Sequence, residues 1–208
     1  MNLARYIIRI TCLITGVMGL IACTGLPTTD ALKVYQLPET RLVQEAQQPY
    51  LPLSLRINTP YTGFALSSPR IIVNAEGEQL SSYKGVRWSD PPPALLREHF
   101  ATAFARYGGL ASISTDEHAL HADMHLGGDL RRFYLEDRST PRVVIELNAR
   151  IVNPTSRRIE ANRTFKIEQP LQDMQILHVV EAFGIAADKL AEQLIQWTFV
   201  QLQKGNDP

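Results

Sequence analysis

The chain has 208 residues with 21 basic and 21 acidic side chains, a balance that leaves no basic footprint for nucleic acid. Its length suits one domain with enough interior to be held together by burial. The two cysteines are Cys12 and Cys23, and neither is left over for a disulfide, a zinc site or a cysteine nucleophile once the N-terminal segment is read.

That segment has Arg5 and Arg9 followed by an apolar run from Ile10 to Ala22, which closes on Leu20-Ile21-Ala22-Cys23. A charged start, a short apolar run and a small-residue end are the parts of a secretory signal. A stable membrane span needs about 20 apolar residues, and Arg9 interrupts the candidate. The closing four residues resemble the lipobox of bacterial lipoproteins. That pattern implies cleavage between Ala22 and Cys23, diacylglycerol on the Cys23 thiol and an acyl group on the new amine. Three chains, at about 0.8 kcal/mol per buried methylene, hold a domain where one chain holds only marginally. Thr24 is the sorting position of the same pattern: aspartate there retains a Gram-negative lipoprotein at the inner membrane, so threonine implies the outer membrane, facing the periplasm. Removing residues 1–22 leaves 186 residues with a net charge of −2.

Residues 23–31 are small, polar and proline-containing and read as a lipidated tether to a domain over 32–203. Val34 to Pro38 reads as a short strand and Glu39 to Pro52 as a loop. Leu53 to Ile57 alternates apolar and polar residues, as a half-buried strand does, and a turn follows at Asn58-Thr59-Pro60. Arg70 to Val73 and Leu80 to Trp88 form an expected hairpin around Glu76-Gly77-Glu78, with Tyr83, Val86 and Trp88 as packing residues. Asp90 before three prolines reads as the cap of a helix over about 91–107, with an apolar stripe of Leu96, Phe100, Ala103, Phe104 and Tyr107. Gly108-Gly109 ends it.

After an apolar run at Leu110 to Ile113, the stretch from Leu120 to Leu126 alternates and reads as a strand with one wet face. Leu130 to Leu135, Arg142 to Val152 and Arg158 to Ile167 read as further strands, and the glycine pair Gly127-Gly128 as a turn. Glu136 to Pro141 and Asn153 to Ser156 read as hairpin connections. A second helix is expected over about 179–200, with Val180, Phe183, Ala187, Leu190, Leu194 and Trp197 on one side, and fraying over 204–208. The predicted class is α/β: a single domain in which a mixed, largely antiparallel sheet is packed by two main helices.

His121, Asp123 and His125 at alternate positions are the weak candidates for a metal site, since two histidines and a carboxylate suit zinc or iron. The solvated face of a strand accounts for them as well. The chain lacks Gly-x-Ser-x-Gly, and neither glycine pair has the spacing of a phosphate loop. Arg131-Arg132, Arg142 and Arg157-Arg158 could meet anionic headgroups or an acidic partner, or simply face solvent. No catalytic set and no cofactor emerges.

Taken together, the lipobox, Val34-Tyr35-Gln36-Leu37, Leu55-Arg56-Ile57, Val86-Arg87-Trp88-Ser89-Asp90-Pro91, Ala122-Asp123, Phe165 and a final helix ending near Trp197 resemble the PqiC-like ABC-type transport auxiliary lipoproteins. The family commonly has a longer polar insertion around Gly127 to Asp129, and the His121/His125 pair is not part of its pattern. The resemblance implies a non-enzymatic outer-membrane subunit of a lipid-transport system that supports membrane integrity. Its implied partners are an MCE-domain conduit protein, inner-membrane transporter components and sister copies in a homo-oligomer. Two alternatives stand beside it: a lipoprotein that carries or senses lipid in a pocket lined by Phe100, Phe104, Phe183 and Trp197, and, more remotely, a metal-dependent periplasmic enzyme.

Overall fold

The computed structural model describes residues 31–43, 50–75, 79–118 and 120–204. Cys23, most of the tether, the turn at Glu76-Gly77-Glu78 and the C-terminal residues 205–208 lie outside them. The elements in chain order are β1 (Lys33–Tyr35), β2 (Leu51–Ile57), a 3-10 turn (Phe64–Leu66), β3 (Arg70–Asn74) and β4 (Leu80–Trp88). They continue with α1 (Pro92–Tyr107), β5 (Leu110–Thr115), β6 (Met124–Glu136), β7 (Arg142–Asn153), β8 (Arg158–Pro170) and α2 (Ile176–Lys204).

The backbone of the sheet is the antiparallel meander β6–β7–β8. In β7 the sustained period of two places Val143, Ile145, Leu147, Ala149 and Ile151 inward, and all five are buried. Strand β6 differs from the sequence reading. The segment expected as a strand from Leu120 begins to pair only at Met124, and it continues without a break through Gly127-Gly128 into the stretch expected as a separate strand. The glycines make no turn. Gly128 has φ +152°, and a Cβ there would collide with the Asn148 carbonyl on β7, so glycine permits the close approach of two backbones. A bulge between Leu130 and Arg132 then places Arg131 and Arg132 toward one partner, Glu146, at 3.8 and 3.3 Å.

The other edge of β6 is shared. Strand β2 runs parallel to its start, with Leu55 opposite Met124, and β3 runs parallel to its end, with Val73 opposite Leu135. Between them Tyr61 bridges to Asp129, so the chain follows β6 from Leu55 to Asn74 and bulges away only around the 3-10 turn. The expected hairpin β3–β4 is present, and β4 spans the predicted Leu80 to Trp88. Strand β1 adds to β4 in parallel and β5 to β2 in parallel. Antiparallel pairs nonetheless hold most of the registered residues.

Both helices pack on one face: α2 lies on β7 and β8, while α1 lies between α2 and the β2–β5 pair. The cap of α1 corrects the expectation for Asp90. Pro91 is the N-cap and no side chain caps the helix, because Pro92 and Pro93 have no N–H to offer and the Ala94 N–H already bonds the Pro91 carbonyl at 3.0 Å. Gly108 and Gly109 end the helix at φ +76° and +82°, as expected. Helix α2 starts earlier and ends later than its stripe implied, and Lys204 is still helical. Trp88, Phe133 and Phe183 form the aromatic centre of the core, with Trp88 edge-on to both partners and Phe133 stacked on Phe183 at 4.5 Å.

Candidate functional site

The most informative local arrangement lies where the chain enters the domain. After β1, residues 36–42 form a strap across both helices. Pro38 sits so tightly on α2 that a Cβ at Gly184 would come within 2.7 Å of its ring carbons. Thr40 is buried, and its carbonyl accepts from the Arg106 guanidinium of α1, which also faces Glu39 at 3.5 Å. The Arg41 main-chain N–H donates to Asp188 Oδ2 at 3.1 Å, and Arg41 Nη2 lies 3.7 Å from Glu181. Asp188 Oδ1 lies 3.0 Å from Nε2 of the buried His99. Burial lowers the pKa of His99 below the ordinary histidine value, with Arg106 adding to the effect and Asp188 and the Pro38 main chain opposing it. A cleft of about 370 Å³ bordered by Pro38, Asp90, Glu98, His99 and Arg106 opens under the strap.

The strap thus holds the chain after β1 against both helices. The composition of Glu39 to Pro52 predicts a loop, whereas the strand after it begins earlier, at Leu51. The signal that was available was Gly184, an isolated glycine inside an otherwise strong helical stripe, which implies a close packing partner.

A second polar junction holds α1 to the opposite end of the sheet. Arg97, nearly buried, contacts Thr59 Oγ1 at 3.0 Å, Asp116 Oδ1 at 3.3 Å, Glu117 Oε1 at 2.5 Å and Glu98 Oε1 at 2.8 Å. Burial works against its charge, and Glu117 and Glu98 outweigh that and hold its pKa above the ordinary value. Burial likewise opposes the Asp116 charge, but the Thr59 amide and hydroxyl together with Arg97 hold its carboxyl low.

The weak metal candidates do not converge. His121 lies in the loop before β6 and is exposed, while Asp123 accepts from the Ser54 amide at 2.7 Å and the Ser54 hydroxyl at 2.6 Å, bonds that keep its carboxyl low. His125 lies in β6 with Nδ1 3.4 Å from Arg56 Nη2, and burial, aided by Arg56, lowers its pKa. Among the described residues no group of three or more His, Cys, Asp or Glu is placed to hold a metal ion. The aromatic residues weighed as a lipid pocket are core: Phe100, Phe104, Phe183 and Trp197 are buried, and Trp197 packs on Phe165 at 5.7 Å. The basic residues divide between two places. Arg142 meets Glu136 and Glu168 on the sheet beside the Arg131/Arg132–Glu146 cluster, whereas Arg157 occupies the β7–β8 turn at φ +56°.

Beside β6, the detour of the chain between β2 and β3 opens a cleft of about 540 Å³ bordered by Tyr61, Phe64, Leu80, Leu130, Arg131 and Tyr134. Phe64, at the tip of the 3-10 turn, is 93% exposed. No described helix is long and apolar enough to cross a membrane.

Comparison with known proteins places this architecture. An uncharacterized protein of Bradyrhizobium diazoefficiens is 29% identical over 149 residues, covering 71% of this chain but 40% of that protein's length. The crystal structure of a Xanthomonas campestris protein superposes with a TM-score of 0.76 at 27% identity, covering 83% of this chain and 98% of that one. A second solved structure, of an uncharacterized protein, shares the fold with a TM-score of 0.64 at 14% identity over 81% of this chain and 99% of its own. The profile of the ABC-type transport auxiliary lipoprotein component family matches residues 35–195, from the last residue of β1 deep into α2. That family is one of transport components rather than of enzymes, and this chain belongs to it.

Proposed function

We propose that the chain is a non-enzymatic lipoprotein, acylated at Cys23 and sorted by Thr24 to the outer membrane, where it docks the far end of an MCE-type periplasmic conduit or its ABC transporter complex. In this role it works as a homo-oligomer and supports membrane integrity through envelope lipid transport. The observation that carries the reading is the family match over residues 35–195, which starts at the end of β1. The strap supports it mechanically. A domain that anchors a conduit must bear load along its N-terminal segment, and here the chain that follows β1 is locked by Pro38 on Gly184, the Thr40 carbonyl on Arg106 and the Arg41 amide on Asp188.

The test is crosslinking in intact cells followed by capture of the chain from membranes and mass spectrometry of what comes with it. Recovery of an MCE-domain protein or transporter subunit, together with crosslinked multimers of the chain, is the expected result. Cys23→Ala should abolish acylation and release the domain or leave it uncleaved. Capture of the acylated chain with no transport component would sink the docking role while leaving the anchor intact.

A further inference from the structure

We propose that the cleft around Phe64 is a second, peripheral membrane contact, in which the aromatic tip of the 3-10 turn enters the headgroup region of the bilayer that holds the anchor. The inference rests on the reading that Cys23 carries lipid. The tip is built rather than loose. The Leu66 N–H bonds the Gly63 carbonyl at 3.1 Å, and the Ser67 N–H and hydroxyl both donate to the Phe64 carbonyl, at 3.2 and 2.8 Å. Leu66 is buried as a peg beneath the turn, and Tyr61 is fixed to β6 through Gly128 and Leu130 at 2.8 Å each. All of this holds a phenyl ring in water, forfeiting the gain its burial would bring. A preorganised apolar protrusion of that kind is spent on a partner rather than on the fold.

The chemistry of the surroundings selects a lipid surface. Tyr61, Leu80 and Tyr134 share the cleft with Phe64, and tyrosine rings with a polar end settle at the headgroup level of a bilayer. Arg131 borders the same cleft with about half its side chain exposed, and a long cationic side chain there can reach a lipid phosphate. The acid in the cleft, Asp129, is neutralised by Arg150. Reach is sufficient as well: Leu80 starts β4, β4 pairs with β1, and eight residues lie between Cys23 and Leu32. Such a tether extends to about 30 Å at most, so the β1–β4–β3 group stays close to whatever membrane the anchor occupies.

The experiment introduces Phe64→Trp or, as the control on the helical face, Leu177→Trp, where the native side chain is 65% exposed. The full chain is reconstituted in vesicles of phosphatidylethanolamine with a minority of phosphatidylglycerol, with and without brominated acyl chains. Native Trp88 and Trp197 are buried and give the baseline. The expected result is loss of most of the added emission at position 64 in brominated vesicles and no loss at position 177. Arg131→Glu in the Phe64→Trp background should restore part of that emission. Equal quenching at both positions, or none at position 64, overturns the proposal. So does an unquenched Phe64→Trp chain whose Phe64→Asp counterpart no longer captures a transport subunit, which assigns the tip to a protein. The mass of the N-terminal peptide reads acylation separately. If it shows a bare cysteine, the chain is coupled through Cys23 to maleimide-bearing lipid and read again, so the tip is tested however the anchor falls.

Discussion

Asp188 divides its carboxylate between two elements: Oδ1 lies 3.0 Å from Nε2 of His99 on α1, and Oδ2 accepts the Arg41 main-chain N–H of the strap at 3.1 Å. The seam between the helices and the attachment of the strap therefore share one side chain. Because burial lowers the His99 pKa, the folded state holds a neutral imidazole where the unfolded chain readily takes up a proton near pH 6.5. The unfolded state binds more protons, so stability is complete above that pH and falls as the pH drops through it toward the lower folded value. Thermal melts between neutral and mildly acidic pH should show this slope. His125 is shifted the same way and contributes in the same window, so the comparison that isolates the seam is wild type against His99→Gln, whose slope should be shallower. Identical slopes would remove His99 from the account.

The contact of Pro38 with Gly184 makes a sharper test of the strap. Alanine at position 184 gains about 1 kcal/mol in helix propensity, yet its methyl meets a proline ring that has no rotamer to yield, an overpacking that costs about 1–3 kcal/mol. Gly184→Ala should lower stability in urea melts by about 1 kcal/mol on balance, and the same change in a Pro38→Ala background should raise it. A stabilising effect in the wild-type background contradicts the packing described.

Gly128 should tolerate substitution still less. Its φ of +152° is rare for an L side chain, and the β7 backbone at Asn148 occupies the space a Cβ needs. Gly128→Ala is expected to cost about 2–4 kcal/mol in equilibrium unfolding, since strain and collision add. Gly85→Ala, where φ is +73° but the space is open, separates the two contributions and should cost less.

The proposed sorting by Thr24 yields a cell-level outcome. Thr24→Asp should move the chain from outer-membrane to inner-membrane fractions without changing the thermal melt of the domain. An unchanged distribution in a sucrose gradient would remove Thr24 from the placement argument.

His121, Asp123 and His125 should behave as surface and strand residues. Zinc at tenfold excess is expected to leave the melting temperature unchanged, and the pair His121→Ala with His125→Ala should retain transport function near wild type. A zinc-dependent rise in melting temperature that both substitutions abolish would restore the metal hypothesis.

Where regularity is local, the sequence already carries it. The nine-residue alternation from Val143 to Ile151 and the stripes of both helices are set by periods of two and 3.6 that any window can count, and the turn chemistry of Glu76-Gly77-Glu78 marks the return strand Leu80 to Trp88. What escaped was decided by contacts distant in sequence. Gly127-Gly128 carries turn chemistry, and only the neighbouring strand shows that the glycine is there to admit another backbone. Asp90 has the composition of a cap, yet the prolines that mark the helix start also remove the donors a cap would need. The strap contains no period at all, since its partners lie about 147 residues away in the case of Arg41 and Asp188. Phe64 sits among turn formers and announces itself only through its exposure.

The shared edge of β6 has a consequence for the order in which the sheet can close. Strand β2 ends at Ile57, but its partners are β5, from Leu110, and β6, from Met124. A chain emerging N-terminus first therefore leaves β2 without a neighbour until more than half of its length has appeared, while β6, β7 and β8 can form hairpins among themselves as soon as they are made. The topology delays β2 and leaves the C-terminal meander free to form from local pairs. Closure of the sheet around β2 therefore waits for β5 and β6, although the β3–β4 hairpin is itself local.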